Sequence, residues 1–157
     1  MRLVYSRVHP RRRSYNYRLP GSYFVTAITH ERQPMFGALR GDGVALSASG
    51  EIVKRIWSAV PIRFAGVTID TFVVMPDHVH AIVGLSADPS RTVTLSQVVG
   101  WAKQRAARAI HLIKCKGTVH IWQRSFHERI IRDAEEFRRI RHYIIANPAR
   151  ALTNPCR

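Results

Sequence analysis

Polar and apolar positions alternate most clearly through Met75-Pro76-Asp77-His78-Val79-His80-Ala81-Ile82-Val83. Side chains on a strand point to opposite faces in turn, so His78 and His80 share one face while Val79, Ala81 and Val83 point into a core on the other. The pattern predicts a strand over 78–85. Pro76 and Asp77 form a turn that reverses an incoming strand predicted over 67–75. Gly21 opens a further strand over 23–30, rich in β-branched and aromatic residues and closed by His30, which is either structural or close to a site. Elsewhere the period lengthens to that of a helix. Ser49 is the expected cap of a helix over 50–63, with Ile52, Val53, Ile56, Trp57 and Val60 on one face. Thr94-Leu95-Ser96-Gln97 fits a capping box, and its helix is predicted to run to about 114. The stripe of that helix is Leu95, Val98, Val99, Ala102, Ala106, Ala109, Ile110 and Ile113. Asp133-Ala134-Glu135-Glu136 is a second capping box, with acids where the helix dipole favours them. It opens a helix over 134–147, anchored by Phe137, Ile140 and Ile144 and expected to stop before Pro148. Residues 31–48 carry Pro34, Gly37, Gly41 and Gly43 and read as a loop, with at most a short strand over 44–46. Segments 119–122 and 126–131 read as two short strands, or as a strand and a turn.

These elements describe a mixed α+β chain, and its 157 residues suit one domain. The expected division is a basic arm over 1–20, a core over 21–148 and a tail over 149–157. No apolar run of about 18 residues predicts a membrane span, and Met1 to Arg7 lacks the apolar stretch of a secretory leader. Cys115 and Cys156 lack metal-ligand spacing and read as reduced thiols of a cytoplasmic, nucleoid-associated protein. Charge changes the picture most. Twenty-five Lys and Arg against ten Asp and Glu leave a net +15, which makes polyanions, nucleic acid first, the natural partners. The arm interleaves guanidinium groups that grip phosphate with rings that stack on bases; the alternative is a solvated arm. Lys103, Arg105 and Arg108 lie off the apolar stripe, toward solvent or phosphate. The candidate DNA contacts are Arg11, Arg12, Arg13, Tyr15, Arg18, Lys103 and Arg124.

Two imidazoles one pleat repeat apart can share a metal ion, although the same spacing also fits two hydrogen-bonded histidines on a sheet face. Tyr143 and Asn147 are four residues apart on one helix face. The Asn147 carbonyl oxygen would suit magnesium or manganese when mixed with imidazole. Tyr143 is either packing or a nucleophile. A phenol, with an ordinary pKa of about 10, needs positive charge nearby to lose its proton. Attack on phosphorus would leave a covalent phosphotyrosine that conserves the bond for rejoining. A binding module that holds single-stranded nucleic acid without cutting it is the competing reading.

Four segments together resemble a known family: Leu19-Pro20-Gly21-Ser22-Tyr23-Phe24-Val25-Thr26, Val73-Val74-Met75-Pro76-Asp77-His78-Val79-His80, Trp122-Gln123-Arg124-Ser125-Phe126-His127 and Tyr143-Ile144-Ile145-Ala146-Asn147-Pro148. The chain resembles the single-tyrosine HUH transposases of the insertion-sequence type, and within them the REP-associated tyrosine transposase branch. The resemblance implies a ferredoxin-like sandwich with an antiparallel sheet of about four to five strands and helices packed on it. It implies a divalent metal on His78 and His80, with Asn147 in the third-ligand position, where insertion-sequence relatives often carry glutamine. It makes Tyr143 the nucleophile on single-stranded DNA beside hairpins, forming a 5′-phosphotyrosine, in a monomer or a homodimer. A replication-initiator or relaxase-type nickase would use the same site.

Overall fold

Strand β1 (Gly21–Ile28) lies inside a sheet because neighbours claim both of its edges. The computed structural model describes residues 19–41, 43–88, 92–114 and 120–153. Its main sheet is antiparallel, in the order β4 (Val67–Val74), β5 (His78–Leu85), β1, β6 (His127–Ile131). A hairpin, β2 (Gly37–Arg40) and β3 (Gly43–Leu46), follows β1. Helices α1 (Ala48–Ser58) and α3 (Leu95–Lys114) cover one face of the sheet, and α4 (Ala134–Thr153) covers the other. The short α2 (Val60–Arg63) leads into β4. The run β1–α1–β4–β5–α3–β6 is the ferredoxin-like split βαβ arrangement, with the hairpin and α4 added to it. No helix among the described residues is long and apolar enough to cross a membrane.

Alternation along the strands divides the side chains between two layers. Tyr23, Val25 and Ala27 of β1 and Val79, Ala81 and Val83 of β5 are buried with Val53 and Trp57 of α1 and with the α3 stripe. That stripe runs from Leu95 to Ile110; Ile113, expected on it, is 49 % exposed because the helix has passed the sheet by then. On the opposite face Ile82 and Ile131 meet Ile140 and Ile144, with Phe24, Val73, Phe137 and Tyr143 around them. A bulge between Ile69 and Thr71 leaves Asp70 out of register, and its carboxylate accepts from Arg141 Nε at 2.9 Å, tying β4 to α4.

Both capping boxes form. Thr94 Oγ1 accepts from Gln97 N and Gln97 Oε1 from Thr94 N, at 3.2 and 2.8 Å. Asp133 Oδ1 accepts from Glu136 N at 2.7 Å, while Glu136 reaches one residue further back, to Arg132 N. Four expectations need correction. Ser47, not Ser49, caps α1, accepting from Gly50 N; Ser49 is buried inside the first turn. The helix expected over 50–63 breaks at Ala59, because Pro61 has no N–H to continue it. The loop expected over 31–48 contains a 3-10 turn (His30–Arg32) and the full hairpin. Gly37, read as a breaker, is needed there: its φ is +153°, and a Cβ would lie 2.3 Å from Ala45 O. Lastly, α4 does not stop at Pro148 but continues to Thr153. The proline removes one backbone bond, to Ile144, and packing of α4 against β4, β5 and the hairpin holds the helix together.

Candidate active site

His78 and His80 project from the same face of β5 as Ile82, toward α4, with ring centroids 4.4 Å apart. Each ring is held through Nδ1. His78 Nδ1 lies 2.5 Å from Asp77 Oδ1, and His80 Nδ1 lies 2.8 Å from the hydroxyl of Thr26, its partner across the β1–β5 ladder. Nε2 of both rings is therefore the nitrogen left for a ligand role. His80 is 3 % exposed. Burial pushes its pKa well below the ordinary histidine value, and the charge of His78 adds to this, so the ring is neutral near pH 7 and its lone pair is available. Burial by itself would raise the Asp77 carboxyl; its hydrogen bond to His78 and the charges of His78 and Arg32 outweigh that and hold it below the usual value.

The turn before β5 is braced from β1. Asp77 O accepts from both the N–H and the hydroxyl of Thr29, and Arg32 Nη1 sits 3.3 Å from Asp77 Oδ2. Glu31 and Arg32 both have positive φ, 51° and 53°. Strain of this kind persists only where surrounding contacts over-determine it, and the contacts here converge on Asp77. His30, expected at the end of β1, lies in the 3-10 turn with its ring 5.3 Å from that of His120.

Tyr143 is brought to this face by α4. Its ring lies 5.6 Å from that of His80, centroid to centroid, and meets Phe24 edge-on at 6.1 Å. Asn147 follows one turn later and is 8 % exposed. The guanidinium of Arg150 lies over the Tyr143 ring, 5.9 Å from its centroid. No cluster of three His, Cys, Asp or Glu able to hold a metal occurs among the described residues. A cation at His78 and His80 would thus draw its third protein donor from another residue type. Two imidazole nitrogens joined by an amide oxygen, such as that of the buried Asn147, would be a donor set of the kind a divalent ion accepts.

The candidate DNA contacts divide. Arg11, Arg12, Arg13, Tyr15 and Arg18 lie outside the described residues. Arg124 is exposed, as are Arg105 and Arg108. Lys103 is half-buried: its ammonium donates to the carbonyls of Gln123 and Ser125, at 2.7 and 2.9 Å, while Lys103 O accepts from Trp122 Nε1. It anchors the loop that carries Arg124. Three residues at the site went unremarked in the sequence: Thr26, Asp77 as a histidine partner, and Arg150.

The fold has close counterparts among solved structures. It superposes on a REP-associated tyrosine transposase bound to a REP hairpin with a TM-score of 0.65, at 23 % identity, over 91 % of this chain and 74 % of that one. A candidate transposase from Deinococcus radiodurans R1 gives a TM-score of 0.54 at 19 % identity, over 89 % and 98 %. An uncharacterized protein of Haemophilus influenzae Rd is 30 % identical, over 90 % of this chain and 89 % of its own length. Residues 49–147 match the IS200-like transposase family, a stretch that includes His78, His80, Tyr143 and Asn147. The chain belongs to that family of transposases.

Proposed function

We propose that the chain cuts and rejoins single-stranded DNA through a covalent bond to Tyr143. The observation that carries this reading is the 5.6 Å approach of the Tyr143 ring to His80 of the same chain. Tyr143 Oη attacks phosphorus and loses its proton to solvent. The P–O3′ bond breaks, the departing 3′ oxygen takes up a proton from water, and a 5′-phosphotyrosine remains. Attack by a 3′-hydroxyl reverses the step and rejoins the strand. His78, His80 and Asn147 would hold magnesium or manganese, which when bound supplies positive charge to the phosphate's non-bridging oxygens. Asp77 and Thr26 keep the two imidazoles turned for that task, and Phe24 supports the Tyr143 ring from the side. A DNA hairpin is the proposed partner, by analogy with the solved neighbour that carries one, and the net charge of +15 supports it.

The test uses the full chain, a labelled hairpin from the source genome and manganese. The expected product is a denaturation-resistant protein–DNA band that Tyr143→Phe abolishes while hairpin binding persists. Adducts at normal yield in Tyr143→Phe would remove Tyr143 from the role, and hairpin binding with no adduct in the wild-type chain would leave a binding module. His78→Ala should lose metal-dependent cleavage. Mixing Tyr143→Phe with His80→Ala should restore no activity if tyrosine and histidines act within one chain; recovery would mean that they are exchanged between two.

A further inference from the structure

The geometry points to Arg150 as a second catalytic residue, one that binds the phosphate under attack. This rests on the reading of Tyr143 as nucleophile. Because α4 continues through Pro148, Arg150 is carried two turns past Tyr143 and onto the same side of the helix. Side chains on a helix lean toward its N-terminus, so the long arginine stem reaches back and sets its guanidinium over the Tyr143 ring at 5.9 Å. A phosphate in line with the phenol oxygen would arrive beside that group. A guanidinium stays charged at any working pH and presents its N–H donors in a planar fork that matches phosphate oxygens. Donating to a non-bridging oxygen, it would meet the negative charge as it builds during attack, when such a contact counts most. Arg150 also lies beyond the stretch that matches the family, which ends at residue 147.

The experiment compares wild type, Arg150→Ala and Arg150→Lys for the rate of covalent adduct formation at saturating hairpin, and separately for the affinity of a hairpin without a cleavage site. Arg150→Ala should slow adduct formation by about 100-fold while changing the affinity less than about twofold, and Arg150→Lys should recover part of the rate because it restores charge without the planar fork. Adduct formation at the wild-type rate in Arg150→Ala, or a loss confined to affinity, overturns the assignment and leaves Tyr143 in place. Failure of the wild-type chain itself to form an adduct overturns both. Circular dichroism of each variant excludes unwinding of the end of α4 as the cause of a slower rate.

Discussion

Val79 and His80 are neighbours in β5 and face opposite ways. On the Val79 side the sheet meets α1 and α3, and the side chains between them are almost all apolar and inaccessible to water. On the His80 side it meets a single helix, and the apolar contact shrinks to Ile82, Ile131, Ile140 and Ile144 with a few partly buried neighbours. Buried among or beside these are Thr26, His80 and Asn147. Burying polar groups contributes less to stability than burying alkyl groups, even when they are hydrogen-bonded. One face therefore carries most of the folding free energy, and the other holds polar atoms in fixed positions, as the proposed chemistry requires. The teaching of the pair is that a strand of period two serves both purposes at once, residue by residue.

The largest effect is expected on the apolar side. Trp57→Ala should lower unfolding stability by about 3–5 kcal/mol, seen as a shift of the urea midpoint, with adduct yield per folded molecule unchanged. A loss of chemistry at constant folded fraction would break the division. Next come the residues behind the imidazoles. Thr26→Val and Asp77→Asn should each weaken manganese binding about 10–100-fold by calorimetry, with little change in the thermal midpoint; unchanged affinity would deny them an orienting part. A pH effect should follow in the metal-free chain. His80 stays neutral when folded, because burial lowers its pKa, but takes up a proton when unfolded below about pH 6.5. Stability measured with a chelator should therefore be fully present above that pH and fall as the pH drops through it toward the folded value, by up to about 1.4 kcal/mol per unit. His80→Gln should flatten this slope, and a slope that survives the change would place its origin elsewhere. The smallest effect is expected at the surface tie between Asp70 and Arg141, both partly exposed. Arg141→Ala should cost no more than about 1 kcal/mol, and a larger loss would show that α4 depends on that tie more than on Ile140 and Ile144.

The features legible in the sequence are those that arise within a few residues. The His-x-His strand follows from a period of two. The caps at Thr94 and Asp133 follow from side chains that reach three or four positions along, and Tyr143 and Asn147 share a helix face by spacing alone. What escaped depends on distant partners or on competition between near-equal local choices. Thr26 lies 54 positions from His80 and reveals itself only through the β1–β5 register. Strand β2 is four residues opened by a glycine, and only β3 opposite makes it a strand. Ser47 and Ser49 are equally good caps by type, and contacts with Met35 and Gly50 select the first. The role of Lys103 depends on carbonyls about twenty residues away. Pro148 reads as a stop because its local cost is real, yet the packing of α4 carries the helix past it and so brings Arg150 to Tyr143.

Peptide mapping of the trapped complex tests the central claim most directly. The full chain is incubated with a hairpin substrate and manganese, digested with trypsin and nuclease, and the modified peptide is sequenced by mass spectrometry. Cleavage after Arg141 and Arg150 releases residues 142–150, whose only tyrosine is Tyr143. A nucleotide joined through its 5′-phosphate to Tyr143 in that peptide is the predicted result. A nucleotide on any other residue, or the linkage persisting in Tyr143→Phe, would contradict the account.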